Sequence, residues 1–359
     1  MKCKIHGCEE KVLHKDLCIL HLELPDDESS ETFKRIEKLK IEKLENRKKS
    51  QNLNFKGAIF VNANFKGFET QQDIILTGAY IKKDLNFENS KIQADIWGDN
   101  VDIGENLCFE LAHINGSVSF FKAKIYGNIL FDHTIIGNYV WFQNATIAGE
   151  ASFNYTIIGA SVSFKDARIT ENLSFYAAEI EGNVWFNRAH IMGEAWFDRL
   201  KINGNLNFFN TTFENVKGQE RAHRSAKIIW EKIGDREKAD YSFYHEMEAK
   251  RKQKPFYFRY PEIIVQYLFG YGVHPSRLLF SFITLLLLFA FSYWVMEGLF
   301  SLDSLLNKLR FSFLTLIVPA YGVINAKTGL YSFLTILEAV IGAFTWPTFI
   351  VTFARKYMR

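Results

Sequence analysis

The sequence predicts a mixed fold. A parallel β-helix fills the middle of the chain, a helical connector follows, and two membrane-crossing helices flank a re-entrant segment at the C-terminal end. Three observations predict it. An aromatic–aliphatic beat of eleven residues runs through the stretch from Leu53 to Phe213. Two long apolar runs, Leu278 to Val295 and Leu330 to Ala354, hold a single charge between them, Glu338. Three of the four cysteines fall within the first 18 residues, beside histidines.

With 359 residues the chain is too long for one ordinary domain. Hydrophobic residues make up 48 %, but the continuous apolar runs are confined to the C-terminal part. The net charge of +3 implies no field for nucleic acid, and no nucleic-acid partner is expected. The opening MKCKIHGCEEKV lacks the basic-then-apolar plan of a secretory signal. Thiols crowded beside histidines favour metal over a disulfide framework, and a reducing, cytoplasmic side.

Residues 1–24 are predicted to form a zinc knuckle. Cys3, Cys8, Cys18 and His21 supply three thiolates and one imidazole, the donor set of a structural Zn²⁺. Cys18 and His21 are spaced for one helical turn, and Gly7 permits a tight turn before Cys8. His6 and His14 are spare ligands. A segment this polar buries no core, so metal binding is its folding energy. The alternative is a tail of unlinked thiols. Residues 25–50 read as a linker helix with Ser30 as N-cap and Phe33, Ile36, Leu39 and Leu44 on one face. That face docks on the next domain or self-associates.

Residues 51–215 carry the repeat. Phenylalanine recurs every eleven residues from Phe109 through Phe120 and Phe131 to Phe208. An apolar residue follows five later, from Ile114 to Phe213. Small residues such as Ala112 and Ala145 come three after, and glycines such as Gly116 and Gly204 seven after. Eleven residues also make about three turns of α-helix. Local alternation (Leu173-Ser174-Phe175) and β-rich composition argue instead for short strands turning a corner every five or six residues. Two units make one coil, and roughly seven coils at a spacing of about 4.8 Å make a rod of about 35 Å. The segment holds 12 Lys/Arg against 17 Asp/Glu, a weakly acidic surface. Asp132 with His133 is a lone pair on that surface, more often solvated than catalytic. Neither a catalytic trio nor a phosphate loop is visible, and the chain is not expected to be an enzyme.

Ala58-Ile59-Phe60-Val61-Asn62-Ala63-Asn64-Phe65 resembles the unit of the pentapeptide-repeat family, and the later units resemble a degenerate form of it. The resemblance implies a β-helix and says little of function, because such rods serve many proteins; a protein partner on the rod is one expectation.

In residues 216–272 the beat stops. Ala222, Ala226, Ile229 and Ile233 form a helical stripe, Gly234-Asp235 breaks it, and Ala239, Phe243 and Met247 begin another. The pair resembles a single hairpin of the tetratricopeptide kind, and a connector between pentapeptide rods and membrane pores. Lys250, Arg251, Lys252 and Lys254 form a basic cluster, read as an anionic-headgroup contact or a solvated face. Tyr257, Phe258, Tyr260, Tyr267, Phe269 and Tyr271 suit an interfacial belt or a small aromatic core.

Residues 273–359 are predicted to cross the membrane twice. An 18-residue helix just covers a hydrocarbon core of roughly 30 Å. Basic residues before the first span, and Arg355, Lys356 and Arg359 after the second, predict a cell-membrane protein with both termini cytoplasmic. Ser304 to Leu316 reads as a short amphipathic helix between the spans. This layout resembles the two-transmembrane potassium-channel family. The resemblance implies a pore helix ending near Thr315, a filter at Val318, Pro319, Ala320, Tyr321 and Gly322, and a gating hinge at Gly342 with a kink at Pro347. Gly342 also fits plain close packing. Val318, Pro319 and Ala320 depart from the family's filter, so a poorly selective path for monovalent cations is expected. One two-span chain cannot enclose a pore, which implies a homo-oligomer, most simply a tetramer. The competing expectations are a non-conducting scaffold anchored in the bilayer and an effector that depolarises the membrane.

Overall fold

A computed structural model describes residues 3–5, 8, 10–14, 16–296, 302–324 and 329–357, with side chains omitted at 302, 303 and 355–357. His6, Gly7 and Arg359, singled out above, lie outside the described residues, as do the side chains of Arg355 and Lys356. The chain divides into two units, Met1–Ala249 and Lys250–Arg359.

The first unit is built on a parallel β-solenoid of about seven turns. Its 29 described strands have two residues each, from β1 (Ile59–Phe60) to β29 (Thr212–Phe213) in chain order. They stack into four sheets, one of eight strands and three of seven. Partners lie 22 residues apart along nearly the whole rod, as in Ile125↔Ile147 and Leu107↔Ile129. Each coil therefore consumes two eleven-residue units. In the units from Phe109 to Phe197 the Phe and the Ile five residues later point inward and are buried. The Phe side chains form two columns. In one, Phe87, Phe109, Phe131 and Phe153 stack at 4.6, 4.5 and 4.7 Å. In the other, Phe142, Phe164 and Phe186 stack at 5.2 Å. The columns meet edge-on, as Phe153 meets Phe164 at 5.6 Å and 86°, the geometry that aromatic quadrupoles favour.

The corners are of two kinds. Two residues after each Phe the backbone turns left-handed, and from Asn89 to Asn210 that position is never glycine: Leu111, Lys122 and His133 sit there at φ 59, 56 and 57°. The next amide closes the turn on the Phe carbonyl, as Ala112 N does on Phe109 O at 2.9 Å. The glycines serve the other corner, where coils approach closely. A Cβ on Gly116 would lie 2.3 Å from Ala94 O, and one on Gly204 would lie 2.3 Å from Gly182 O. Side-chain oxygens there cap amides of the next coil. Asp84 Oδ1, Asn106 Oδ1 and Asn128 Oδ1 accept from the backbone N–H groups of Asn106, Asn128 and Glu150 at 3.0, 3.0 and 2.9 Å.

Both ends of the solenoid are covered. At the N-terminal end lies α1 (Glu31–Lys49), whose N-cap Ser30 accepts from Phe33 N. Its buried face is Phe33, Lys40, Leu44 and Arg47, whereas Leu39 is exposed. At the C-terminal end, α2 (Val216–Ile233) and α3 (Arg236–Gln253) form a hairpin. Gly234, left-handed at φ 88°, ends α2, and Asp235 accepts from Lys238 N to start α3. Ala222, Ala226 and Trp230 form the buried stripe, while Ile233 is exposed because it lies in the last turn, past the solenoid surface.

The second unit is helical. After α4 (Phe256–Ile264), a π-turn (Val265–Phe269) and a 3-10 turn (Gly270–Gly272) reverse the chain. Then come α5 (Pro275–Met296), α6 (Leu302–Ile317), α7 (Pro319–Ile324) and α8 (Leu330–Tyr357). α6 packs against both α5 and α8, and α7 packs on α6 and α8. Pro275–Met296 and Leu330–Ala354 are long and apolar enough to cross a membrane. Their outward side chains, Phe280, Leu288 and Phe344 among them, are exposed.

Candidate metal cluster and membrane bundle

The N-terminal segment brings Cys3, Cys8, Cys18 and His21 together, with their ligand atoms all within 4.8 Å of one another. Cys18 Sγ lies 3.7 Å from Cys8 Sγ and 3.1 Å from His21 Nδ1, and Cys3 Sγ lies 3.4 Å from His21 Nδ1. A tetrahedron of thiolates about 2.3 Å from its centre has edges of about 3.8 Å, so the cluster fits a small tetrahedral ion. His21 turns its other nitrogen, Nε2, to Lys56 O at 2.9 Å. A proton on Nε2 leaves Nδ1 as the ligand, the usual outer contact of a metal-bound imidazole. Burial pushes the Cys18 thiol up to about 11. At Cys3 burial also acts upward, but backbone amides of Ile5 and Cys18 outweigh it and hold that thiol low. His14 is held apart in a bridge with Leu17.

Three contacts that the spacing did not reveal tie this cluster to the rod. Lys40, 1 % exposed, donates to Leu20 O at 3.2 Å and Ile59 O at 2.7 Å, and burial lowers its pKa to about 7. Glu10 bridges Lys43 and Arg47 at 2.6 and 2.9 Å. Arg47 also donates to Asn54 O and lies 5.6 Å over the Phe55 ring. A charged residue on a helix face looks solvated until its partners, here up to 37 residues away, are known.

In the C-terminal helical bundle several polar side chains turn inward. Glu338, Ser312, Thr315 and Thr335 are all at 0 % exposure. Glu338 accepts from Tyr293 Oη at 2.6 Å and from the Ser312 hydroxyl, so one carboxyl group joins α5, α6 and α8. Gly342 lets α8 approach α6: a Cβ there would lie 2.4 Å from Leu316 O. Pro347 sits inside α8, which runs on through it.

The segment Val318 to Gly322 differs from the extended filter that the potassium-channel resemblance implies. Pro319–Ile324 is helical, so its carbonyls point along a helix axis instead of alternating into a lumen. The reason is local: proline is preset for the first helical position, and Ala320 is a strong helix former. Gly322 approaches Thr315 so closely that a Cβ would lie 2.5 Å from Thr315 Oγ1. That hydroxyl donates to Phe311 O within its own helix. Val318 and Tyr321 are exposed.

The basic cluster falls at the C-terminal end of α3, where Lys250, Arg251 and Lys252 form the last turn. Lys254 pairs with Glu262. Tyr257, Phe258, Tyr260 and Tyr267 are 58 to 71 % exposed, whereas Phe269 and Tyr271 are half-buried.

Comparison with known families supports the solenoid. The family model described as pentapeptide repeats (9 copies) matches residues 131–179 and 153–201. No curated protein and no solved structure matches the chain.

Proposed function

We propose that this protein is an integral membrane cation channel, with its pentapeptide-repeat solenoid as a cytoplasmic sensing or assembly module. The observation that carries the reading is α6. It is a short amphipathic helix seated between two helices of membrane-crossing length, with its Ser312 hydroxyl turned to a buried carboxyl group. Irregular or polar segments at membrane depth occur where protein or a water-filled path surrounds them. On this reading α6 and α7 re-enter the bilayer, and a ring of four chains encloses the path. The helical α7 argues for weak selectivity among monovalent cations, because carbonyl ladders are what select potassium. Cys3, Cys8, Cys18 and His21 hold a structural zinc ion. The thiol cluster, the basic residues Lys250, Arg251, Lys252 and Lys254 before the first span, and Arg355, Lys356 and Arg359 after the second support a cytoplasmic side for both termini.

The test is purified protein in liposomes. A tetramer by mass, with potassium and sodium fluxes within about tenfold of each other that Tyr321→Ala alters, supports the proposal. A monomer without flux contradicts it. The second reading, a non-conducting scaffold anchored in the bilayer, is favoured by the same helical α7, and the silent outcome selects it.

A further inference from the structure

One face of the solenoid carries a groove of about 400 Å³ lined by Asp132, Glu150, Tyr155, Ser174, Tyr176 and Trp196. The register explains the groove. In β18 (Ala151–Ser152), β22 (Leu173–Ser174) and β26 (Ala195–Trp196), the outward side chains stack as Ser152, Ser174 and Trp196. Two rungs of serine below one of tryptophan leave a hollow beside the indole.

The residue preceding each of these strands lies on one corner: Glu150, Asn172 and Glu194. Glu194 already shows what this corner receives. Arg221 of α2 donates to Glu194 Oε2 at 2.9 Å, and its guanidinium lies 5.9 Å from the Trp196 ring centroid. Arg199 lies in the same way over Tyr176, at 5.6 Å. Two coils before Glu194, Glu150 occupies the equivalent position. Its carboxylate has no hydrogen-bond or ion-pair partner among the described residues, and burial together with Asp132 and Glu171 raises its pKa. Asp132 is committed to the wall, accepting from Ser152 Oγ at 2.5 Å and from Asn154 N at 2.9 Å. Tyr155 and Tyr176, edge-to-face at 5.6 Å, supply aromatic surface on the far side.

We propose that this groove binds an arginine side chain of a partner protein, pairing its guanidinium with Glu150 between the aromatic walls. The seat keeps the carboxylate position of the one Arg221 fills; Ser152 stands where that seat has Trp196, and Tyr155 and Tyr176 supply the rings, with the guanidinium coming from outside the chain. Guanidinium is favoured over ammonium because it is planar, weakly hydrated and stacks on rings while forking to a carboxylate. An open groove encloses too little of a free amino acid to hold it, so the arginine arrives on a protein segment.

The experiment measures fluorescence anisotropy of a labelled Gly-Arg-Gly-Arg-Gly peptide with the full chain in detergent micelles. Peptides with lysine or with neutral, isosteric citrulline replacing arginine are run beside it. We expect the arginine peptide to bind, the lysine peptide to bind several-fold more weakly, and the citrulline peptide not to bind. Glu150→Gln weakens binding by about tenfold, the usual loss of a charge-assisted pair. Glu69→Gln, the same charge change on another sheet, leaves binding intact. Ser174→Trp fills the hollow with the side chain that β26 already carries there, and abolishes binding while Glu150 stays. The proposal is overturned if the arginine peptide does not bind at millimolar concentration or citrulline binds equally. It is also overturned if Glu150→Gln binds as the native chain does, or if Glu69→Gln weakens binding as much.

Discussion

The solenoid and the C-terminal helical bundle meet the same demand, buried polar groups with partners, by opposite routes. The solenoid is apolar within and polar without: Phe and Ile ladders inside, Asp, Asn and Ser ladders on the corners. The C-terminal bundle is apolar without and keeps a carboxyl and two hydroxyl groups inside, at Glu338, Ser312 and Thr335. In the rod each coil supplies the next with its hydrogen-bond partners, so stability is a sum of near-identical interfaces. In the bundle a single carboxyl group joins three helices, so one change reaches all of them.

That contrast can be broken or sharpened by substitution. The largest effect belongs to the core columns. Phe153 is stacked on Phe131 and Phe175 at 4.7 and 4.8 Å. Phe153→Ala is expected to cost about 3–5 kcal/mol, seen as a lower midpoint for loss of β-signal in urea. A cost near zero would mean that the columns do not carry the rod. Next comes Glu338→Leu, which removes the acceptor of the Tyr293 hydroxyl and leaves Ser312 only its longer bond to Leu286 O at 3.3 Å, and is expected to destabilise the bundle by about 1–3 kcal/mol. Glu338→Gln keeps an acceptor and recovers part of that loss. Unfolding in mixed micelles, followed by tryptophan emission, reads both.

A third prediction concerns pH at the C-terminal cover. His223, buried against Phe208, Phe213, Tyr241 and His245, is lowered to about 3, first by burial and then by His245. Its folded pKa is below its unfolded value of 6.5. The neutral ring's contribution is therefore complete above pH 6.5 and is lost as pH falls toward 3. At pH 5 the loss is about 2 kcal/mol. The protection factors of α2 amides, with the slower intrinsic exchange at acid pH divided out, should fall between pH 7 and pH 5, and His223→Phe should flatten the response. The smallest effect is at a corner. Leu111 is left-handed at φ 59° and exposed, so Leu111→Gly is expected to stabilise the rod by about 0.5–1 kcal/mol, relief of backbone strain outweighing added chain entropy.

Sequence legibility follows the same divide. The beat of Phe109 to Phe208 exposed the core, the coil length and the number of turns, because a solenoid repeats its contacts at a fixed interval. It did not expose which corner residues turn left-handed. Asn144, Tyr155 and Ala177 share that position with nothing common in their chemistry. The glycines looked like the turning residues but are needed for close approach between coils. In the metal cluster, Cys3, Cys8, Cys18 and His21 were legible from spacing. Lys40 and Glu10 were not, because their partners belong to α1 and the first coil. In the bundle the two long apolar helices were legible from composition. The helical turn at Pro319 was not, because a family resemblance outweighed what proline and alanine prefer locally.

The central claim is that α6 and α7 re-enter the bilayer between α5 and α8. Single cysteines at Asn307 and Tyr321, read against the native cysteines alone, test it with a membrane-impermeant maleimide in sealed vesicles of both orientations. The account predicts that position 307 reacts only from the non-cytoplasmic face. Position 321 should react at least tenfold more slowly with the bulky maleimide yet readily with a small thiosulfonate. Equal, fast maleimide labelling at both positions would put the whole segment outside the bilayer and contradict the claim.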